Sequence, residues 1–172
     1  MNSSHNFNIV VTFVKKIMAH LDEPDASKLN SFLNLFNQSS SKVIFNGTPF
    51  NQAMSFIELW SNSIVKTNHL LSLLDFHEIP GTNILVININ GKVRFDESGR
   101  DKNGRDSIIP LNNTQPTQMN ANMANRSIWG PYFGMSLQLV IDSAIFRNNT
   151  VGIINSFNYN LIYKPEDSLI KI

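Results

Sequence analysis

Between Asn155 and Tyr163 the chain changes sides at every residue: Phe157, Tyr159, Leu161 and Tyr163 fall on one face, Ser156, Asn158 and Asn160 on the other. Ser136 to Asp142 repeats the pattern, with Leu137, Leu139 and Ile141 set against Ser136, Gln138 and an apolar Val140. Ile84 to Phe95 does so again, with Leu85, Ile87 and Ile89 opposing Val86, Asn88 and Asn90, and with a bulge expected at Gly91. A period of two over such runs predicts an antiparallel sheet with one buried face. The polar face is unusual because it carries amides and hydroxyls and hardly any charge. A face meant for bulk water normally collects Lys and Glu, whereas one desolvated against a partner sheds charge and keeps groups whose hydrogen bonds can be satisfied. The sheet therefore reads as having a core side and a docking side, the latter made of Asn88, Asn90, Ser136, Gln138, Val140, Asn158 and Asn160. An ordinary wet sheet face is the plain alternative.

The first half of the chain runs at the helical period instead. Ile9 or Val10, Phe13, Ile17 and Leu21 form one stripe, with His20 read as a capping or solvent-edge residue where a helix end favours positive charge. Asp22-Glu23-Pro24-Asp25 breaks that helix, and Asp25 caps a second one whose stripe is Leu29, Phe32, Leu33 and Phe36. Val43-Ile44-Phe45 reads as a short strand closed by an Asn46-Gly47 turn. Thr48-Pro49 is read as the start of a third helix, with Phe50, Ala53, Met54, Ile57 and Ile64 on one face and Trp60 as a core or partner-contact residue. His69 to Phe76 is a mostly apolar strand, and Pro80-Gly81 turns it into the next.

Between the long central strands lies an insertion, about 96–127, expected to be mobile. Its first part mixes charges around Gly99, and Glu97, Arg100, Asp101 and Lys102 are expected to stand exposed, where they could pair with phosphate or carboxylate of a cargo. A solvated turn is the plain reading of the same residues. The second part, Pro110 to Asn125, carries no charge and little apolar surface. The apolar terminus Leu169, Ile170 and Ile172 is expected to pack back on the body.

A chain of 172 residues suits one domain, and a net charge of +1 argues against a strong bias toward nucleic acid or membrane. The absence of cysteine excludes disulfides and thiolate chemistry, and four scattered histidines argue against a zinc site. No stretch reaches the roughly 20 apolar residues of a membrane span, and no secretory signal opens the chain, which points to the cytosol or nucleus. Three helices followed by a twisted sheet make an α+β domain, in which a curved sheet wraps the helices as a cone and leaves its outer face free.

Several runs then carry a resemblance over nearly the whole chain: Phe13-Val14-Lys15-Lys16-Ile17 with Ala19-His20-Leu21-Asp22; Thr48-Pro49-Phe50; Lys92 to Lys102; Trp129-Gly130-Pro131-Tyr132-Phe133-Gly134; Ile145-Phe146-Arg147-Asn148; and Tyr163 to Leu169. Together they resemble the fungal mRNA transport regulators, the small nuclear transport factor 2-like subunits of the yeast-type mRNA export receptor. The resemblance implies a cone fold with three N-terminal helices on a curved antiparallel sheet, no cofactor and no catalysis. It implies a heterodimer with the large receptor subunit, meeting on the sheet face. It also implies contact with phenylalanine-glycine nucleoporins, a nuclear pore location with shuttling to the cytoplasm, and cargo of messenger ribonucleoprotein and, in yeasts, the pre-ribosomal large subunit. Trp129, Pro131 and Tyr132 are conceivable rims of a phenylalanine pocket, which the sequence does not place.

The rival from another class is a small-molecule isomerase or dehydratase of the same cone. Tyr159 and Tyr163 are expected on the core face, yet acid–base work needs a partner within hydrogen-bond reach, and the strands offer no acid there. Asp142 lies at a strand end, and Asp75 and His77 are read as flanking a turn.

Overall fold

The last strand of the chain is the one that joins the sheet together. In the computed structural model, which describes residues 3–109 and 128–172, the strands are β1 (Lys42–Phe45), β2 (Thr48–Phe50), β3 (Thr67–Glu78), β4 (Ile84–Phe95), β5 (Phe133–Asp142) and β6 (Ile154–Tyr163). They lie in the order β2-β1-β6-β5-β4-β3. Every pairing is antiparallel except β1 with β6, which is parallel, so the expected antiparallel sheet is mixed at one seam. The helices α1 (Ser3–Leu21), α2 (Ala26–Leu33) and α3 (Ala53–Ser63) pack on the sheet's inner face. Among the described residues no helix is long and apolar enough to cross a membrane.

Local chemistry explains most element ends. Asp25 accepts a hydrogen bond from the backbone N–H of Ser27 at 2.9 Å and so caps α2 as its position predicts. Asn46 and Gly47 both take positive φ (47° and 76°), the two-residue hairpin turn whose twist suits the strands it joins. That turn corrects the reading of Thr48-Pro49 as a helix start. A chain leaving this tight hairpin runs back along β1, so Thr48 pairs with Phe45 and Phe50 with Val43, and α3 begins only at Ala53. Met54 accordingly faces solvent, while Ala53, Phe56, Ile57 and Trp60 are buried.

Three one-residue irregularities shape the sheet. Ser72 is the extra residue in β3, opposite Gly91 and Asn90, so the predicted bulge lies on the strand facing Gly91. Gly91 is required there because a Cβ would come within 2.5 Å of the Leu70 carbonyl oxygen. In β6, Asn155 and Ile162 are the extra residues. The bulge at Ile162 turns Tyr163 outward, where it is 62% exposed beside Gly134. This corrects its expected place on the core face; Tyr159, before the bulge, is fully buried. Asp75 and His77 lie within β3 and face outward.

Aromatic rings fill the cone. Phe32, Phe36, Phe56, Phe157 and Tyr159 are all buried, and Trp60 stands 5.8 Å from Tyr159 between ring centroids. The C-terminal segment returns as expected, with Ile170 fully buried.

Candidate functional site

β4, β5 and β6 place the predicted docking residues in register. Asn88 lies opposite Gln138, and Gln138 opposite Asn158; Asn90, Ser136 and Asn160 form the next row, and Val86, Val140 and Ser156 the row on the other side. All seven predicted residues, Asn88, Asn90, Ser136, Gln138, Val140, Asn158 and Asn160, thus fall in one contiguous block on the outer face with no ionisable group among them, and the outward Asp75 borders it opposite Asn88. Gln138 donates to the Asn88 side-chain oxygen at 3.0 Å, and Asn160 to that of Asn158 at 2.8 Å. These bonds satisfy some of the amide hydrogen-bonding capacity before any partner arrives, which lowers the cost of desolvating the face.

Sequence periodicity missed the apolar rim of this block. Leu73 lies opposite Asn90, Leu70 opposite Lys92, and Tyr163 opposite Gly134, all on the outer face and 46–62% exposed. Leu73 and Tyr163 are on this side only because a bulge precedes each of them, a shift that alternation alone does not reveal.

One end of the face is basic. Arg94 continues the outward series Asn88, Asn90, Lys92 along β4, and its guanidinium lies 4.7 Å from the Trp129 ring centroid and 5.2 Å from that of Tyr132. Lys66 approaches Trp129 at 5.7 Å, and the Tyr132 hydroxyl donates to Asn68 at 3.4 Å. Trp129 and Tyr132, read as conceivable pocket rims, are here half-buried braces for an arginine.

The charged loop differs from expectation. Glu97 is only 6% exposed, and its Oε1 accepts from the Ser168 hydroxyl at 2.8 Å and the Leu169 backbone N–H at 3.1 Å. Asp101, 4% exposed, accepts from the backbone N–H groups of Asn103 and Arg105 at 2.8 and 2.9 Å. Lys102 donates to the carbonyls of Glu23 and Val65, and burial pushes its ammonium pKa down to about 8 against the pull of Asp22 and Glu23. Glu97, Asp101 and Lys102 are therefore not the exposed charges their loop context suggests, and Arg100 alone of the four is exposed. Residues 96–109 are tied to the body through backbone bonds such as Lys102 to Ser61 and Ile108 to Asn62, so this part of the insertion is ordered; the rest, 110–127, lies outside the described residues.

A buried polar chain also escaped the sequence. Asp22, just past α1, faces the Nδ1 of His69 at 2.5 Å, and the Nε2 of His69 lies 2.9 Å from the Tyr159 hydroxyl. Asp22 further accepts from the His69 backbone N–H, while Trp60 donates to the Leu21 carbonyl beside it. An acid does therefore reach the core, from a helix end rather than a strand. Burial first, and Asp22 second, hold the Tyr159 pKa well above the ordinary phenol value. The side chains of His69 and Tyr159 have no solvent exposure and that of Asp22 keeps 25%, so the chain runs from the surface into the core and ties helix to sheet. His20 is half-buried against Phe32, and burial followed by Lys16 lowers its pKa, contrary to a charged cap. No cluster of three metal-ligating side chains occurs among the described residues.

Helices seated in a curved sheet with an uncovered outer face define a nuclear transport factor 2-like protein. Nuclear transport factor 2 of Cryptosporidium parvum superimposes with a TM-score of 0.58 at 13% identity, covering 90% of this chain and 92% of that one. Residues 3–172 match the family described as "Nuclear pore RNA shuttling protein Mtr2", and the chain belongs to that family. It is 53% identical to the mRNA transport regulator MTR2 of Saccharomyces cerevisiae, over 100% of this chain and 95% of the relative. The Mtr2 chain in the crystal structure of the C. albicans Mtr2-Mex67 M domain complex matches with a TM-score of 0.72 at 29% identity, over 92% and 97% of the two chains. The family is one of transport regulators and not of enzymes.

Proposed function

We propose that this chain is the small, non-catalytic subunit of a heterodimeric mRNA export receptor, docking through the outer face of β4, β5 and β6 on the nuclear transport factor 2-like domain of a large subunit. The observation that carries this reading is the charge-free amide block in continuous register, rimmed by Leu70, Leu73 and Tyr163. The C. albicans relative crystallised with a Mex67 M domain supports it. Passage through nuclear pores by contact with phenylalanine-glycine repeats, and cargo of messenger ribonucleoprotein and large ribosomal subunits, belong to the same reading. So does a single domain spanning the chain, with 96–127 as its insertion. For cargo contact the exposure pattern leaves Arg100 as the available member of the loop quartet.

Gln138→Glu combined with Asn158→Asp places two carboxylates directly opposite each other in the centre of the face. Binding to the large subunit's matching domain, measured by calorimetry, is expected to fall by about a hundredfold or more, since unpaired interfacial charge costs several kcal/mol. Unchanged binding by a folded double variant would move the interface elsewhere.

A further inference from the structure

We propose that Arg94 is the specificity anchor of the docking face, held ready to take a carboxylate presented by the partner subunit; this rests on the reading of that face as the heterodimer interface. The guanidinium lies against Trp129 and Tyr132, which fixes a side chain that otherwise loses considerable rotamer freedom on binding. Its Nε is sealed from solvent with no acceptor among the described residues, so the terminal N–H groups carry its remaining hydrogen-bonding capacity. Among the described residues no carboxylate pairs with Arg94, Lys92 or Lys66, and positions 110–127 contain neither Asp nor Glu. The cluster is therefore a positive end that the chain itself does not neutralise.

Two features favour a protein carboxylate over a nucleic-acid phosphate. Arg94 stands on the same strand face as Asn88 and Asn90, in register beside Asn68 and close to exposed Leu70, so whatever covers the amide block also reaches the arginine. The rings are engaged with the cations rather than left open as base-stacking platforms. A braced arginine between Trp and Tyr at the margin of a neutral patch is the composition of a binding hot spot, and its planar fork suits bidentate capture of a carboxylate.

The test uses the full chain with the large subunit's matching domain. Arg94→Gln is expected to weaken binding by about tenfold to a hundredfold, chiefly through faster dissociation. Arg94→Lys, which keeps charge but loses the fork, is expected to recover only part of that loss. One Asp or Glu of the partner, changed to its amide, should be non-additive with Arg94→Gln in a double-mutant cycle. Thermal melts of both variants confirm that the fold is intact. If both bind within about twofold of the parent chain while the Gln138/Asn158 double variant does not bind, the docking face stands and the anchor is overturned. If the double variant also binds normally, the interface reading itself has failed. Loss of binding to a fluorescent single-stranded oligouridylate by Arg94→Gln, with heterodimer affinity unchanged, would assign the site to phosphate and equally overturn the anchor.

Discussion

A lysine ammonium tucked under the carbonyls of Glu23 and Val65 gives up much of its hydration, and Lys102 accordingly loses its proton at about pH 8 in the folded chain instead of near 10.5. Between those values the unfolded chain binds the extra proton, so the Lys102 contribution makes stability rise as pH increases. Tyr159 has the opposite sign: its proton is held in the fold above the ordinary phenol pKa of 10.0, so above that pH it subtracts stability. The Lys102 effect is therefore visible from about pH 8 to 10. In urea titrations across that window Lys102→Met should flatten the rise seen in the parent chain. A rise of the same slope in the variant would show that the lysine is solvated. Loop context suggested four exposed charges, because charge in a turn usually means solvent. Glu97 and Asp101 break that rule because each finds backbone N–H or hydroxyl donors that no spacing pattern announces.

At the scale of elements, the β3–β4 pairing depends on the absence of a side chain at Gly91. Gly91→Ala must displace the Leu70 carbonyl, and overpacking of this kind costs about 1–3 kcal/mol. The expected result is a lower urea midpoint together with faster amide exchange in Leu70 to Leu74. Normal exchange there would mean that the strand relaxes without cost. The long strands were legible because burial on one face enforces a period of two. β4 is predicted at Ile84 to Phe95, the span the structure shows. The Thr48-Pro49 reading failed because two local signals competed. Threonine followed by proline favours a helix start, but Asn46-Gly47 with Val43 to Phe45 forms a tight hairpin first and consumes the residues after it. That Asn88, Asn90, Ser136, Gln138, Asn158 and Asn160 share one uncharged face was likewise legible. Its apolar rim was not, because Ser72 and Ile162 each shift the register by one.

For the whole molecule, the helix layer and the sheet are joined by more than apolar contact. Asp22 reaches across from α1 to Thr67 and His69 on β3, and through His69 to Tyr159 on β6. Asp22→Ala removes the acceptor and leaves the His69 ring and backbone N–H without this partner, at a cost of about 2–4 kcal/mol. Equilibrium unfolding should show that loss, whereas heterodimer affinity should stay close to the parent value because the tie lies on the opposite side of the sheet from the proposed docking face. A stable variant would show that water replaces the carboxylate. Residues 22, 69 and 159 are far apart in the chain, which is why only the folded topology brings them together.

The seam between β1 and β6 has a temporal consequence. β6 is the neighbour of both β1 and β5, although more than a hundred residues separate it from β1 in the chain. A nascent chain therefore holds an unpartnered β1–β2 hairpin and an open flank on β5 until β6 has been made. The face proposed to meet a second subunit is complete only once β6 has inserted between them, so docking on it follows sheet closure.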